Sequence, residues 1–371
     1  MKQTAICLAI ILFSCRSLVT TYEDVESANS YTASPLQDEP QNVESLIVMT
    51  WNIRFGAARI PFFGDSCGDR VLMTQAETEG YLNSIVDYIN STEPDILLLQ
   101  EVDISSKRSA YVNQLQYILD RTHLNYGAYA SMWNAEIIPS DGLGKVDAGN
   151  AILSRWKITD AERIQLPLRT DQDDLTQYFY LRRNILKAKI ALDEGNEIYA
   201  VNIHATAFAT DDTKKKHIAK YKEVLDSLVV QEAIFITGGD FNSIPTDAEP
   251  FEFCLIDQCE DESWHTSVEE KDYHKEGSYF DNFEGERDLL QPFYADSQNY
   301  FPAIPYQDRN SSDHFTHCTY NDNEGEDYRN WDRKLDYLFT NKEDGFSIGD
   351  THQDAFYLSD HAPVSATLIF P

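Results

Sequence analysis

Six apolar runs in this chain each stop at, or start from, a polar residue that core packing does not require. Leu46 to Trp51 ends in Asn52, and Ile96 to Gln100 ends in Glu101. Ile198 to Ile203 ends in His204. Ala233 to Gly239 ends in Asp240, with Phe241 and Asn242 behind it. Leu335 is followed by Asp336 and Tyr337, and Ser359-Asp360-His361 precedes the last apolar run. Short runs of Val, Ile, Leu and aromatics bounded by Gly, Asn, Asp or Pro are strand signals. A chain with many such runs, interrupted by helical patterns, is constrained to a layered α/β fold with polar groups at its sheet edges.

On that reading, strands are expected at Leu46–Ile53, Ile96–Val102, Ala151–Ser154, Ile185–Leu192, Ile198–His204, Ala233–Thr237, Leu335–Phe339 and Val364–Phe370. Helices are expected over about 74–90, 107–121 and 213–230. Tyr81, Ile85 and Ile89 put an apolar stripe on the first, and Asp211, Asp212 and Thr213 offer caps for the third. Residues 244–332 hold Cys254, Cys259, many acids and scattered aromatics with little periodicity, which reads as a long loop insertion rather than a second domain. A hydrophobic share of 42% and a charged share of 25% over 371 residues supply an ordinary globular core and argue against wholesale disorder.

The amino terminus reads as a targeting segment. Lys2 precedes nine apolar residues, Ala5 to Phe13, and then Ser14 and Cys15. That run is too short to cross a bilayer core, which needs ~20 residues, but it suits a secretory signal over residues 1–14. Leu12-Phe13-Ser14-Cys15 is similar to a bacterial lipobox, in which the Cys becomes the lipidated first residue; the alternative is an ordinary signal peptide with a chance Cys. Residues 15–44 then read as a flexible tether, with the folded domain over 45–371. The expected location is the cell-envelope membrane, through the lipid anchor, or secretion. Cys67, Cys254, Cys259 and Cys318 remain as an even set in an exported chain, with three pairings possible. CxxC zinc spacing is absent from the sequence.

The strand-end set holds two Asn, a Glu, three Asp and two His. Strand ends form the ligand crevice in layered α/β proteins, so these groups are expected to converge. Carboxylate and amide oxygens without thiolates suit a hard cation such as Mg²⁺, Mn²⁺ or Ca²⁺. Histidines beside carboxylates suit charge stabilisation and proton transfer. The sequence has no Walker A loop, GxSxG elbow or HExxH helix, so metal-assisted attack of water on a phosphate ester fits this inventory best.

In order along the chain, Thr50-Trp51-Asn52-Ile53, Leu99-Gln100-Glu101-Val102, Asn202-Ile203-His204, Gly239-Asp240-Phe241-Asn242, Leu335-Asp336-Tyr337 and Ser359-Asp360-His361 resemble the successive motifs of the endonuclease/exonuclease/phosphatase superfamily. Gly149-Asn150-Ala151-Ile152-Leu153-Ser154-Arg155 resembles its mid-chain strand. The resemblance implies a four-layer sandwich of two packed mixed β-sheets flanked by helices. It implies that Glu101 binds the principal metal ion with Asn52 beside it, and that Asp360 supports the metal site. It implies that Asp240 orients or deprotonates the attacking water and that Asn242 holds that water or a phosphate oxygen. His361 is implied to contact the phosphate with Asp336 fixing its tautomer, and His204 to donate to the phosphate or the leaving oxygen.

Other residues carry weaker signals. Arg108 is either a phosphate clamp or a solvated charge at a helix start. Lys214, Lys215, Lys216 and Lys220 read as a solvated helix face. Trp133, Trp264 and Trp331 read as core or loop packing, and His217, His265 and His274 as surface residues. Thirty basic against 62 acidic residues leave a net charge of −32, which repels long polyanions unless a local basic channel intervenes. The expected activity is therefore hydrolysis of a phosphodiester on a lipid headgroup or small phosphorylated molecule. A secreted nuclease for DNA or RNA is the alternative, and a non-catalytic binding module is a third reading that the complete motif set opposes.

Overall fold

The computed structural model describes residues 17–64, 68–192, 195–248, 266–268, 271–274, 280, 282–296, 299–318 and 331–369. The signal segment with Cys15 and the candidate disulfide residues Cys67, Cys254 and Cys259 lie outside them, as do His265 and Trp264. In chain order the strands are β1 (Val25–Ser27), β2 (Asn29–Thr32), β3 (Ser45–Asn52), β4 (Ile96–Asp103), β5 (Tyr126–Ile138), β6 (Gly144–Ser154), β7 (Ile158–Gln165), β8 (Asn184–Ala191) and β9 (Glu197–His204). They continue as β10 (Phe235–Asp240), β11 (Thr266–Val268), β12 (Lys271–His274), β13 (Phe301–Pro302), β14 (His317–Cys318), β15 (Trp331–Arg333), β16 (Asp336–Thr340), β17 (Phe346–Thr351) and β18 (Val364–Ile369). The helices are α1 (Gln75–Thr92), α2 (Gln114–Leu119), α3 (Asp174–Phe179), α4 (Thr213–Val230) and α5 (Gln291–Ala295).

Among the described residues fourteen of these strands build two seven-stranded mixed sheets, ordered β17-β18-β3-β4-β6-β5-β2 and β1-β7-β8-β9-β10-β16-β13, while β11-β12 and β14-β15 form separate two-stranded pairs. Alternation along each strand divides its side chains between two apolar layers. In β3, Leu46 and Val48 enter the core between the sheets, where they meet Leu186, Ala188, Ile198 and Ile236. Met49 and Trp51 point the other way and pack under α1 and α2 with Leu82, Ile85, Leu115 and Ile118. The outer face of the second sheet is covered by Tyr221, Leu225 and Leu228 of α4 and Phe293 of α5. Helix, sheet, sheet, helix is the four-layer arrangement expected, and both faces of each central strand are buried, which is why those runs read as nearly continuous apolar stretches.

Each sheet contains one parallel pair joined across a long helix: β3 to β4 through α1, and β9 to β10 through α4. Helix α1 begins with a capping box in which Thr74 and Glu77 exchange hydrogen bonds. Its buried face is Leu82, Ile85, Val86 and Ile89; Tyr81 is only half-buried. The expected helix over 107–121 is shorter, because Ala110 and Tyr111 adopt φ of 53° and 61° and the helix restarts at the Asn113 cap. Asp211 rather than Asp212 caps α4, accepting from Thr213 N at 2.9 Å.

The segment expected to be a tether is part of the fold. β1 pairs with β7 at the edge of one sheet, and β2 pairs with β5 at the edge of the other. Val19 and Ala33 are buried. Gln37 N donates to Asn125 Oδ1 at 2.8 Å, and Trp156 Nε1 donates to Pro40 O at 2.9 Å. Polar composition hid this segment because short edge strands need few apolar residues. The long insertion also carries structure within its described part: α5 packs on the core of the second sheet and β13 extends that sheet. Removal of residues 17–44 should therefore lower the denaturant midpoint and raise the unfolding rate of 45–371 relative to 17–371, as read by tryptophan fluorescence. A free tether would leave both unchanged.

Candidate active site

The carboxyl ends of both parallel pairs meet at one edge of the sandwich, and strand register decides which residues they present. Asn52 stands level with Gln100, and Asp240 stands between His204 on one side and Asp336 on the other. Val364 pairs with Thr50, so the preceding Asp360 and His361 reach the same edge. A bulge in β4 between Leu99 and Val102, with Glu101 at φ 57°, turns that carboxylate out of the ladder. Gly239 lies at φ 139°, and a Cβ there would sit 1.9 Å from Ile203 O, so only glycine lets β10 run this close to β9.

The expected site residues are brought together. Asn52 Nδ2 donates to Glu101 Oε1 at 3.2 Å and to Asp240 Oδ2 at 3.1 Å. His204 Nε2 lies 3.2 Å from Asp240 Oδ2 and 4.0 Å from Glu101 Oε1. His361 Nδ1 pairs with Asp336 Oδ2 at 2.7 Å, while its Nε2 is 3.8 Å from Asp240 Oδ2. Asn242, at φ 46°, donates its backbone N–H to Asp240 Oδ1 at 2.9 Å and one amide hydrogen to Ala205 O at 3.0 Å. Ser359 Oγ links two sides of the pocket, donating to Asn52 O at 2.7 Å and lying 3.2 Å from Asp360 Oδ1.

Placement differs from expectation at His204 and Arg108. His204 directs Nε2 at Asp240 rather than outward, so it orients that carboxylate. Arg108 is not a phosphate clamp: its Nε and Nη2 grip both oxygens of buried Asp103 at 3.0 and 2.9 Å, and its guanidinium stacks 3.8 Å from the Phe55 ring centre. A fork held in this bidentate way has spent its most directional donors. Asp360 stands beside the pocket with Arg54 Nε 3.2 Å from Oδ2.

Several neighbours carry no motif signal. The Arg183 guanidinium is buried behind the site; its Nη1 donates to His204 O at 3.3 Å and its Nε has no partner among the described residues. Before a strand, an Arg pair reads as surface charge, so sequence gives no hint of this burial. Lys214, read as solvated, is buried against Glu286 at 2.6 Å. His217, read as a surface residue, is buried: its Nδ1 accepts from Thr206 N at 3.2 Å and its Nε2 reaches Pro167 O at 2.7 Å. His317 packs edge-to-face on His361 with ring centres 5.1 Å apart.

Electrostatics set the roles. Burial, reinforced by Arg183 and His361, holds the His204 pKa well below its ordinary value, so His204 is neutral. Burial would also lower the His361 pKa, but Asp336 and Asp240 outweigh it and hold it well above the ordinary range. Burial and then Asp336 push Asp240 up to about 7 against the pull of His361. Burial would raise the Asp360 carboxyl, yet Arg54 and His361 bring it down to about 2. Asp240 and Glu101 thus converge on one neutral amide and one neutral imidazole, and buried Asp336 Oδ1 lacks a partner among the described residues. This carboxylate-rich pocket fits a hard divalent cation, with Glu101 to hold it; Asn52, expected as a second metal ligand, instead turns its amide N–H groups to the carboxylates while its Oδ1 accepts from Arg54 N at 3.0 Å.

A model of the endonuclease/exonuclease/phosphatase family matches residues 49–361. Curated proteins give no significant sequence match. Among solved structures, an endonuclease/exonuclease/phosphatase from Beutenbergia cavernae superposes with a TM-score of 0.54 at 16% identity, over 88% of this chain and 72% of its own. A mannosyl-6-phosphatase of Bacteroides thetaiotaomicron gives a TM-score of 0.49 at 14% identity, over 88% of this chain and all of its own. The human Nocturnin catalytic domain with bound sulfate gives 0.48 at 15% identity, over 92% and 97%. At these identities the likeness is one of fold.

The buried imidazole of His217 yields a pH test. Burial lowers its pKa from 6.5 to about 4, so the unfolded chain takes up the proton first as pH falls. Its contribution is complete above pH 6.5 and is lost on the way down to about 4, amounting to roughly 3 kcal/mol. The stability difference between wild type and His217→Gln should therefore shrink by that order between pH 7 and pH 4 in urea titrations.

Proposed function

The chain belongs to the endonuclease/exonuclease/phosphatase family, whose members hydrolyse phosphate esters, and from that premise we propose that it is a divalent-metal-dependent phosphoesterase acting on a small phosphodiester or a phosphorylated headgroup. The observation that carries this reading is the meeting of Asn52, Glu101, His204, Asp240, Asp336 and His361 at one sandwich edge. Mg²⁺ is the preferred ion, with Mn²⁺ or Ca²⁺ as substitutes, because the site's carboxylates offer oxygen and no sulfur. Glu101 would hold such an ion, with the Asn52 amide beside it, and the ion would supply positive charge to the phosphoryl oxygens as charge develops on them.

The chain's own residues divide the remaining work. Asp240 accepts a hydrogen bond from the attacking water and takes its proton. Neutral His204, the Asn52 amide and the Asn242 backbone N–H fix both oxygens of that carboxylate, so its direction of attack is set before substrate arrives. His361, held as imidazolium by Asp336, donates Nε2–H to a phosphoryl oxygen. Asn242 Nδ2, which gives one hydrogen to Ala205 O, offers its second hydrogen to the same group. The net charge of −32 supports a small substrate over a long nucleic acid. We also place the enzyme in the cell envelope as an exported protein, anchored to a membrane through a lipidated Cys15.

EDTA should abolish turnover of bis-p-nitrophenyl phosphate, and Mg²⁺ or Mn²⁺ should restore it; activity that survives thorough chelation overturns the reading. Glu101→Gln and Asp240→Asn are near-isosteric, so kcat should fall ~10²–10⁴-fold with little change in the thermal midpoint. Assayed against DNA, RNA, sphingomyelin and phosphoinositides, the enzyme should prefer the lipid headgroups; rapid cleavage of DNA alone would reverse the substrate assignment. Cys15→Ser should move the protein from the membrane fraction into solution.

A further inference from the structure

His317 belongs to no motif, yet it is built into the pocket by backbone pairing. Residues 316–318 and 360–362 are zipped together: Cys318 N donates to Asp360 O at 2.8 Å, and Ala362 N donates to Thr316 O at 2.7 Å. His317 stands opposite His361 in this short antiparallel bridge. Thr316 Oγ1 accepts from Leu335 N and Asp336 N at 2.9 and 3.0 Å, which ties the same segment to the start of β16. The register of His317 against His361 is therefore fixed by main-chain hydrogen bonds, not by loop packing.

The two histidines are also supported alike. His361 Nδ1 is held by Asp336, and His317 Nδ1 is held by Asp332 at 3.2 Å. Asp332 is buried, and the Arg333 guanidinium grips both of its oxygens. A carboxylate on Nδ1 fixes the ring and reserves Nε2 for something else. His217 shows what a purely structural histidine looks like in this protein, with both ring nitrogens engaged by the chain. Among the described residues, His317 Nε2 makes no hydrogen bond, and the ring is part-exposed. One ring nitrogen of His317, one of His361 and a carboxylate oxygen of Asp360 lie within 4.8 Å of one another. That is less than twice a hydrogen-bond length of ~2.8 Å, so one phosphoryl group can meet both rings.

We propose that His317 is a further substrate-contacting residue, a second imidazole that binds the phosphoryl group alongside His361, its Nε2 donating with a proton the ring takes up from solvent as that group binds. The assignment rests on the phosphoesterase reading for its substrate but not for its geometry. Asp332 acts through His317 as a positioning residue. Paired donors of this kind favour the pentacoordinate state, whose equatorial oxygens carry more charge than those of the ester.

The test uses the full chain with Mg²⁺ and two readouts: calorimetric binding of inorganic phosphate, and turnover of bis-p-nitrophenyl phosphate. His317→Gln keeps an amide donor toward Asp332 and removes the imidazole. It should weaken phosphate binding at least ~10-fold and lower kcat/KM on the order of 100-fold, with the thermal midpoint near wild type. Should His317→Gln unfold, His317→Asn supplies the same comparison. Wild-type binding and turnover in a folded His317 variant overturn the proposal, as does a wild-type chain that binds no phosphate. Phosphate binding that depends on His317, in a chain without esterase activity, would leave this assignment standing while the proposed function falls.

Discussion

One hydrogen bond across the middle of the sandwich sets everything above it. Gln100 of β4 donates its amide to Asn202 Oδ1 of β9 at 2.8 Å, and Asn202 Nδ2 returns bonds to Leu99 O and Ala151 O at 2.8 and 2.9 Å. Two sheets that touch through Leu, Ile and Ala can slide with little energetic direction, because apolar contact is nondirectional. An amide pair buried between them cannot slide without leaving polar atoms unpaired, at a cost of ~1–3 kcal/mol each. Asn150 and Asn184 repeat the device one strand further out, where Asn150 Nδ2 meets Asn184 Oδ1 at 3.2 Å. The pinned register is what places Asn52 and Glu101 of one sheet against His204 and Asp240 of the other.

This seam explains why parts of the molecule were legible in sequence and others were not. Gln100, Asn150 and Asn202 lie inside recognisable motifs, but the letters do not say that they face the second sheet while Glu101 and His204 face the crevice. The alternation of side chains along a strand makes that division, and in β4 the bulge shifts it by one residue. The central strands and α1 and α4 were readable because long apolar periodicity survives tertiary context. The edge strands β1 and β2 were not, since their pairing partners lie more than ninety residues away and their own residues are mostly polar. Arg108 and Arg183 illustrate the same limit for charge. Both look like strand- or helix-start cations, and only packing reveals that one is absorbed by Asp103 while the other backs the site.

Electrostatically, the protein combines an acidic exterior with a carboxylate-rich pocket. Arg54 balances Asp360, and Asp336 is spent on His361. Glu101 and Asp240 are left sharing Asn52. Positive charge reaches Asp240 from His361 and from Arg183 behind the site. Its neutral and charged imidazoles differ because Asp336 touches one and Arg183 lies behind the other, so similar rings are given different protonation by their second neighbours.

The amino-terminal strap has a mechanical corollary. β1 ends at Ser27 and β2 begins at Asn29, so the chain leaves one sheet and joins the other across Ala28, whose N–H is tied to Ala161 O at 2.8 Å. Tension applied upstream of this point is shared between the outer edges of both sheets and loads their ladders lengthwise, so several hydrogen bonds must break together. A polypeptide tugged from that end would resist as a sheared lap joint.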